Sequence, residues 1–462
     1  MDNLIKEFLK CNRERKLTIR CIGDALIDEY FNVDVTRVSP EAPLCIMRSY
    51  NTEAKRRPGG VANVAHQLKH FNVERQLVCF SDPVLDEVLF EHLLMGFDKN
   101  TSFDIAPDGG FIPRKRRYSH DGTQVCRHDI EDKCYGLKDI KSAQNSLLTL
   151  MSKYDPQTEN PDVVILSDYD KGIFTNTDID WISYFRDKIT IVDPKSNPIK
   201  RWKGCTIFKP NKNEAALLSG TTNWGEQCEY FHNELGCKGV FITHGGDKVV
   251  GSWDKHLFCY TPEKKVNVAS VIGAGDCFMA GLAMAIGHGF EGRDAAEIAY
   301  RAGEVYVQQK LNRPIVPAEM SPDGIVDPLD LVKRDFKLVF ANGCFDILHA
   351  GHLQMLEFAK SKGDKLVVAV NTDESIRKYK GPTRPKNCLK MRMDVLAALK
   401  VVDFVTCFEE TDPVEIIKRM QPDVQIKGRD WEGKPMPETG LVPEVYFAPL
   451  IDGVSTTKLL SG

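Results

Sequence analysis

The chain has 462 residues, 42% of them hydrophobic and 27% charged, with a net charge of -4; this is an ordinary globular composition with room for two large domains or three average ones. The charge balance gives no bulk attraction to nucleic acid or to an anionic membrane, and no apolar run approaches the roughly 18 residues of a membrane span. The amphipathic, acidic start is not a signal peptide, and fourteen cysteines without a Cys-x-x-Cys pair read as reduced thiols of a cytoplasmic protein, with no zinc site.

Taken in order, the first half reads as apolar strands that empty into polar turns. Residues 17–24 (Leu-Thr-Ile-Arg-Cys-Ile-Gly-Asp) form a strand ending on Asp24, with Asp28 beyond; carboxylates there suit sugar hydroxyls, or simply cap a turn. Residues 37–43 (Arg-Val-Ser-Pro-Glu-Ala-Pro) are too rich in proline for a helix or a central strand and open an excursion such as a lid. In 57–63 the paired Gly59 and Gly60 allow close backbone approach at a helix start, and Asn63 can donate to and accept from a polyol. The basic run 114–117 (Arg-Lys-Arg-Arg), with Arg127, is either a solvated face or a set of forks for a phosphate. Residues 163–172 (Val-Val-Ile-Leu-Ser-Asp-Tyr-Asp-Lys-Gly), carrying Asp168 and Lys171, read as a buried parallel strand and its turn. The theme repeats at 189–195, ending on Lys195, and at 206–211, where Asn211 and Glu214 can share a helical face. It returns at 240–246, which closes on Gly245 and Gly246. Strands alternating with helices predict a doubly wound α/β sheet.

Residues 273–276 (Gly-Ala-Gly-Asp) decide the chemistry of this half. Gly273, Ala274 and Gly275 expose N–H groups at a helix start, an anion hole for a transferring phosphoryl, and Asp276 can accept a proton from an attacking hydroxyl. No Walker-type G-x-x-x-x-G-K-[ST] occurs, which excludes the P-loop class. Behind Gly59-Gly60 and Asn211-x-x-Glu214, this order resembles the ribokinase-like (PfkB-type) sugar kinases. That resemblance implies Asp276 as catalytic base, ATP as donor, Mg²⁺ near Glu214, and nucleotide contacts at Lys195, Asn211, Gly245 and 273–275. The motifs at 37–43, 57–63, 166–172 and 193–195 (Asp-Pro-Lys) narrow it to the bifunctional heptose 7-phosphate kinase / heptose 1-phosphate adenylyltransferase family, over nearly the whole chain. The implied substrate is D-glycero-D-manno-heptose 7-phosphate, phosphorylated at O1. Asp24, Asp28, Gly59, Gly60, Asn63, Asp168 and Lys171 would surround it, with Lys115, Arg117 and Arg127 at its 7-phosphate. Where such kinases usually carry an acidic residue and a Thr or Ser before Gly-Ala-Gly-Asp, this chain has Ser270 and Ile272. Family members associate through an extension of the kinase sheet, which implies a homodimer or higher oligomer built on 37–50.

A proline- and glycine-bearing stretch at 315–324 marks a boundary, giving an expected kinase domain 1–316, a linker 317–335 and a second domain 336–462. Residues 337–340 are strand-like, and Leu353, Leu356 and Phe358 have helical spacing. Between them, 342–352 (Asn-Gly-Cys-Phe-Asp-Ile-Leu-His-Ala-Gly-His) occupies a strand-to-helix turn, where open α/β sheets bind ligands. His349 and His352 project from one face of the first helical turn, Gly351 lets a phosphate approach, and the helix N-terminus adds positive charge. Such a turn can stabilise a pentavalent phosphorus without a nucleophile from the protein. A second strand ends at Asn371; Lys378, Lys380, Arg384 and Arg392 then form either a triphosphate-binding set or a solvated loop. Residues 424–428 are a strand ending on Lys427-Gly428, and 453–458 (Gly-Val-Ser-Thr-Thr-Lys) offer Ser455, Thr456 and Thr457 as a phosphate clamp.

This half resembles the nucleotidyltransferase superfamily that includes glycerol-3-phosphate cytidylyltransferases. The resemblance implies a Rossmann-like α/β domain with His349, His352 and Lys427 at the reacting phosphates and release of pyrophosphate. Nucleotide contacts would fall on Asn342, Gly343, Phe345, Asp346, Gly351, Asn371, Lys380, Arg384 and the clamp. Arg429-Asp430 stands where the family more often has Gly-Asp. The expectation is therefore two tandem steps on small-molecule substrates, a sugar phosphate and ATP, with no nucleic-acid or membrane partner. Its rivals are another sugar phosphate, CTP in the second step, or a kinase half that binds without turnover.

Overall fold

The computed structural model describes residues 2–49, 54–81, 84, 87–88, 104–105, 112–131, 141–145, 160–175, 177, 179–195, 197–309 and 313–449. Chain contacts divide it into two compact units, Glu14–Ile315 and Met1–Arg13 with Val316–Gly462.

The larger unit is built on an eight-stranded sheet. Six strands run parallel, in the order Gly239–Thr243, Ile207–Phe208, Ile189–Asp193, Val163–Ser167, Leu17–Gly23 and Val73–Val78. Val249–Trp253 and His256–Tyr260 extend one edge antiparallel. Consecutive residues such as Val163, Val164, Ile165 and Leu166 are fully buried; both sheet faces are covered, which is why these strands lack the alternation of a half-exposed strand. The register pairs Gly23 with Ser167 and Ser167 with Asp193, so the polar turns after these strands emerge side by side.

A second, four-stranded sheet runs in the order Thr123–Ile130, Arg114–His120, Ala25–Asn32 and Lys55–Gly60. Asp28 lies opposite Lys115, Tyr30 opposite Arg117, and Arg117 opposite Arg127. Directly opposed residues share a face, and this one collects Asp28, Lys115, Arg117 and Arg127. The proline-rich excursion after it is a short antiparallel hairpin, Asp34–Val38 with Cys45–Arg48.

Glycine is required twice where the sheets meet helices. Gly60 has φ 59°, and a Cβ there would come within 2.3 Å of the Asp24 carbonyl oxygen. Gly273, with φ 80°, precedes the helix Ala274–Gly287 and could carry no Cβ beside Tyr306 and Asn63.

The smaller unit has a five-stranded parallel sheet, in the order Phe404–Phe408, Lys365–Asn371, Leu338–Gly343, Val424–Gly428 and Glu444–Ala448. Alternate residues of the central strand feed two cores. Val339 and Ala341 join Leu356 and Val368, while Leu338 and Phe340 join Val367 and Ile417. Val316, Ala318, Val326 and Leu331 enter the second core as well. The stretch expected to be a linker thus folds as two short 3-10 helices, Pro317–Met320 and Pro328–Leu331, and buries apolar side chains. The helix Asp2–Glu14, expected within the kinase domain, is grouped with this smaller unit. Ile5, Phe8 and Leu9 make its buried stripe, and Lys6 and Arg13 pair with Asp323 and Asp330, each at 2.6 Å. Among the described residues, no helix is long and apolar enough to cross a membrane.

Candidate active sites

In the larger unit Asp276 sits in the first turn of the helix Ala274–Gly287, buried. Its Oδ2 accepts from Asn63 Nδ2 at 2.6 Å and its Oδ1 from the Tyr169 hydroxyl at 2.7 Å. Burial pushes the Asp276 carboxyl up, and the hydrogen bonds from Asn63 and Tyr169 pull against that shift. Nearby, burial raises Asp193 to about 6, opposed by the Lys209 ammonium 2.9 Å away.

Asp24, expected at a sugar hydroxyl, instead accepts backbone N–H groups of Tyr169, Lys171 and Ile173 at 2.9, 3.0 and 3.1 Å. Its carboxylate organises the turn that carries Tyr169 and Lys171. Asp168 Oδ1 accepts the N–H of Asp170 at 2.8 Å; burial first, then the Asp24 charge, raises its pKa to about 7. Lys171 pairs with Glu131 at 2.7 Å.

The three expected phosphate ligands come together on the four-stranded sheet. Arg117 holds Asp28 at 2.6 Å, and Arg127 forks onto Asp129. Lys115 makes no ion pair among the described residues; its ammonium lies 5.3 Å from the Tyr169 ring centroid, and burial lowers its pKa against the pull of Asp28. Gly59 and Gly60 shape the approach of this sheet to the helix Val61–Gln67.

Asn211 caps the helix Lys212–Ser219 in a capping box with Glu214, and Glu214 also pairs with Lys195 at 3.0 Å. A cavity of about 430 Å³ is lined by Gly245, Val268, Val271, Gly275, Phe278 and Val307, among others. It is largely apolar and opens beside the helix start, the setting a nucleobase needs with its phosphates at N–H groups. Ser270 Oγ accepts the N–H of Ile272 at 3.3 Å, capping the turn before Gly273.

In the smaller unit His349 is the N-cap residue of the helix Ala350–Lys360, without a side-chain cap bond. The His349 and His352 rings stack 3.8 Å apart. A Cβ on Gly351 would lie 3.1 Å from the His349 ring. Burial lowers His349, and burial together with the neighbouring His349 and Lys380 lowers His352 to about 4. Lys427 reaches Asn342 Oδ1 at 3.3 Å, pairs with buried Glu438 and lies over the Trp431 ring at 5.4 Å.

Several expected nucleotide contacts have other work here. Asp346 accepts from Arg384 at 2.7 Å and from the N–H groups of Lys386 and Asn387, fixing that loop. Phe345 is buried in the core, with φ 46°. Asn371 Nδ2 reaches the Glu410 carbonyl at 3.3 Å. Arg392 is a buried strut that donates to the Cys344 and Asn371 carbonyls and to Asp373. Gly343 ends the central strand, and the Lys380 ammonium lies 5.7 Å from the Tyr379 ring. Ser455, Thr456 and Thr457 lie outside the described residues. Tyr169, Gln67 and Glu438 escaped the sequence reading. Tyr169 stands inside the Leu-Ser-Asp-Tyr-x-Lys-Gly motif, but nothing in that string says where its hydroxyl points.

A pfkB family carbohydrate kinase model matches residues 162–319, and a cytidylyltransferase-like model matches 340–442. Among solved structures, phosphofructokinase-2 of Escherichia coli in complex with potassium superposes with a TM-score of 0.51 at 13% identity, over 66% of this chain and 96% of that one. Its complex with substrates and products gives 0.51 at 14%, over 66% and 97%. These likenesses concern the fold. The bifunctional protein HldE of Campylobacter jejuni subsp. doylei is 33% identical over 98% of each chain. That of Sulfurimonas denitrificans is 33% identical over 96% of each. With both halves matched and the likeness running end to end, the chain belongs to the family of bifunctional HldE proteins.

Proposed function

We propose that the chain phosphorylates D-glycero-D-manno-heptose 7-phosphate at O1 with ATP, then transfers adenylyl from a second ATP to the resulting heptose 1-phosphate, giving ADP-heptose and pyrophosphate. The observation that carries the first step is a buried Asp276 at an N-terminal helix turn, in the same unit as a face bearing Lys115, Arg117 and Arg127. Asp276 takes the proton of the anomeric hydroxyl as it attacks the γ-phosphate. The N–H group of Gly275 receives the developing charge, joined by that of Ala274 if it leaves the Val271 carbonyl to which it donates at 3.2 Å, and the basic face holds the 7-phosphate. Asn63, Asp28 and Lys171 border the sugar, while Asp168, its side chain fully buried beside Arg201, supports the turn behind them.

Among the described residues no cluster of three or more acidic, histidine or cysteine side chains forms a protein metal cage. Glu214, whose carboxylate accepts the Asn211 N–H and pairs with Lys195, would hold Mg²⁺ only as an outer partner to an ion bound through nucleotide phosphates. The ion would neutralise phosphate charge there.

In the second step the 1-phosphate oxygen attacks the α-phosphorus, and pyrophosphate leaves. His349, His352 and Lys427 stabilise the transition state, and Ser455, Thr456 and Thr457 clamp phosphates. Kinase chemistry is assigned to 1–316 and transferase chemistry to 336–462. On this reading the enzyme works in the cytoplasm, the compartment that supplies ATP. It is a homodimer or higher oligomer joined through the hairpin at 34–48, whose Val38, Leu44 and Met47 are exposed.

The test is to incubate the protein with heptose 7-phosphate, Mg²⁺ and ATP and to follow ADP and pyrophosphate separately. Both should appear, pyrophosphate lagging. Asp276→Ala should abolish ADP release while still converting added heptose 1-phosphate, and His352→Ala should do the reverse. Retention of both activities in both variants would sink the assignment.

A further inference from the structure

Asp276 is held from two sides by side chains whose contact with it the sequence motifs do not reveal. On one side stands Asn63, whose own amide is oriented by Gln67: Gln67 Nε2 donates to Asn63 Oδ1 at 3.1 Å, which turns Asn63 Nδ2 onto Asp276 Oδ2. On the other side the Tyr169 hydroxyl donates to Asp276 Oδ1 at 2.7 Å. Tyr169 is carried by the turn that Asp24 anchors through three backbone N–H groups. Its ring lies under the Lys115 ammonium, so one side chain touches both the phosphate-binding face and the carboxylate.

We propose that Tyr169 is the positioning residue of the kinase half: its hydroxyl fixes the rotamer of Asp276 and restrains the basicity of that carboxylate, and its ring seats Lys115. The proposal rests on the reading of Asp276 as the proton acceptor. A carboxylate taken out of water favours its protonated form, and a hydrogen bond donated to the charged form opposes this. Without the hydroxyl, burial acts on Asp276 with one donor fewer, and the pH below which the base is protonated and inactive moves up. The charges around Asp276 set the background: Asp28 and Asp193 favour protonation, while Lys209 and Lys115 oppose it. Tyr306 and Cys277 also face Asp276, and their pKa values are raised. None of these changes when a single hydroxyl is removed.

Tyr169→Phe tests the idea, because phenylalanine keeps the ring beneath Lys115. The kcat and KM of ADP release are measured against pH in the full-length protein with heptose 7-phosphate, ATP and Mg²⁺. The expected result is an acid limb of kcat moved to higher pH. About a tenfold loss on that acid limb should be recovered as pH rises to the plateau, with KM for the sugar phosphate within about twofold. A loss equal at every pH, a raised KM with unchanged kcat, or no change overturns the assignment. A fluorotyrosine placed at 169 alone is a stronger donor and must move the limb the other way; this second variant keeps the test open should Tyr169→Phe lose its fold. Asp276→Asn, run alongside, separates the two readings: if it still releases ADP, the base itself is misassigned and not merely its partner.

Discussion

His349 and His352 stack face to face, and burial lowers the pKa of both, His352 to about 4. A histidine held below its unfolded value is protonated first in the unfolded chain. It therefore contributes stability that is present above about 6.5 and is lost as pH falls towards 4. For a partly exposed ring the loss is about 2 kcal/mol. We expect the smaller unit to melt earlier as pH falls through that window, and His352→Gln to flatten the dependence; a melting curve of unchanged slope in the variant would refute the pair as its source. At neutral pH both rings are uncharged, so in the proposed second step they would meet phosphate as neutral donors. Removing His352 should cost about 10² to 10³ in pyrophosphate release, the usual loss for one transition-state donor. The pair was legible in the sequence because residues three apart at a strand-to-helix turn fall on one side of the helix start, here His349 as the N-cap and His352 in the first turn. Glu438 was not. Ten residues separate it from Lys427, a 3-10 turn at Arg429–Trp431 among them, and only the fold shows it buried against that ammonium, which holds its carboxyl below the usual range despite burial. Glu438→Gln should destabilise the smaller unit by about 3 kcal/mol by leaving Lys427 buried without its counter-charge. It should also slow the second step more than it raises KM, read from initial rates of pyrophosphate release.

At the scale of elements, apolar runs announced the strands, and their polar ends announced the side of the sheet on which the candidate sites lie. Register supplied the rest. Because Gly23 lies beside Ser167, the carboxylate that ends the first strand falls on the turn of another, and Asp24 becomes an anchor for 169–173. Residue type alone made it an equally good sugar ligand. Asp24→Asn keeps the shape but exchanges an ionised acceptor for a neutral one whose nitrogen cannot accept. The expected cost is about 2 to 3 kcal/mol of stability in the larger unit, with kinase activity falling and adenylyl transfer from added heptose 1-phosphate unchanged. Loss of both activities would show that the turn does not act locally. The same logic separates the basic residues. Lys115, Arg117 and Arg127 share a face through strand pairing, whereas Arg392, read with the triphosphate set, spends its guanidinium on carbonyls that hold the loop together.

Across the whole molecule the chain begins in one unit, builds the other, and returns. A boundary drawn on proline and glycine near 316 assumes that sequence neighbours stay together, and it separates 1–13 from the unit they complete. The amphipathic stripe of Ile5, Phe8 and Leu9 was readable, but a stripe does not name its partner, here more than 300 residues away at Asp323 and Asp330. Burying apolar side chains of that size contributes roughly 1.5 to 3 kcal/mol each, and Asp330, with its side chain 1% exposed, depends on Arg13 for charge compensation. Removing residues 1–13 should therefore lower the stability of the smaller unit by at least about 4 kcal/mol while leaving the kinase unit's own unfolding transition in place. Calorimetry resolves the outcome: one transition shifted down and one retained supports the helix as part of the transferase unit, and two unshifted transitions would refute it. A transferase fragment starting at 316, which keeps Asp323 and Asp330, would then need the helix supplied as a separate peptide, and the recovery of its melting temperature with peptide concentration would measure how strongly residues 1–13 hold the smaller unit together.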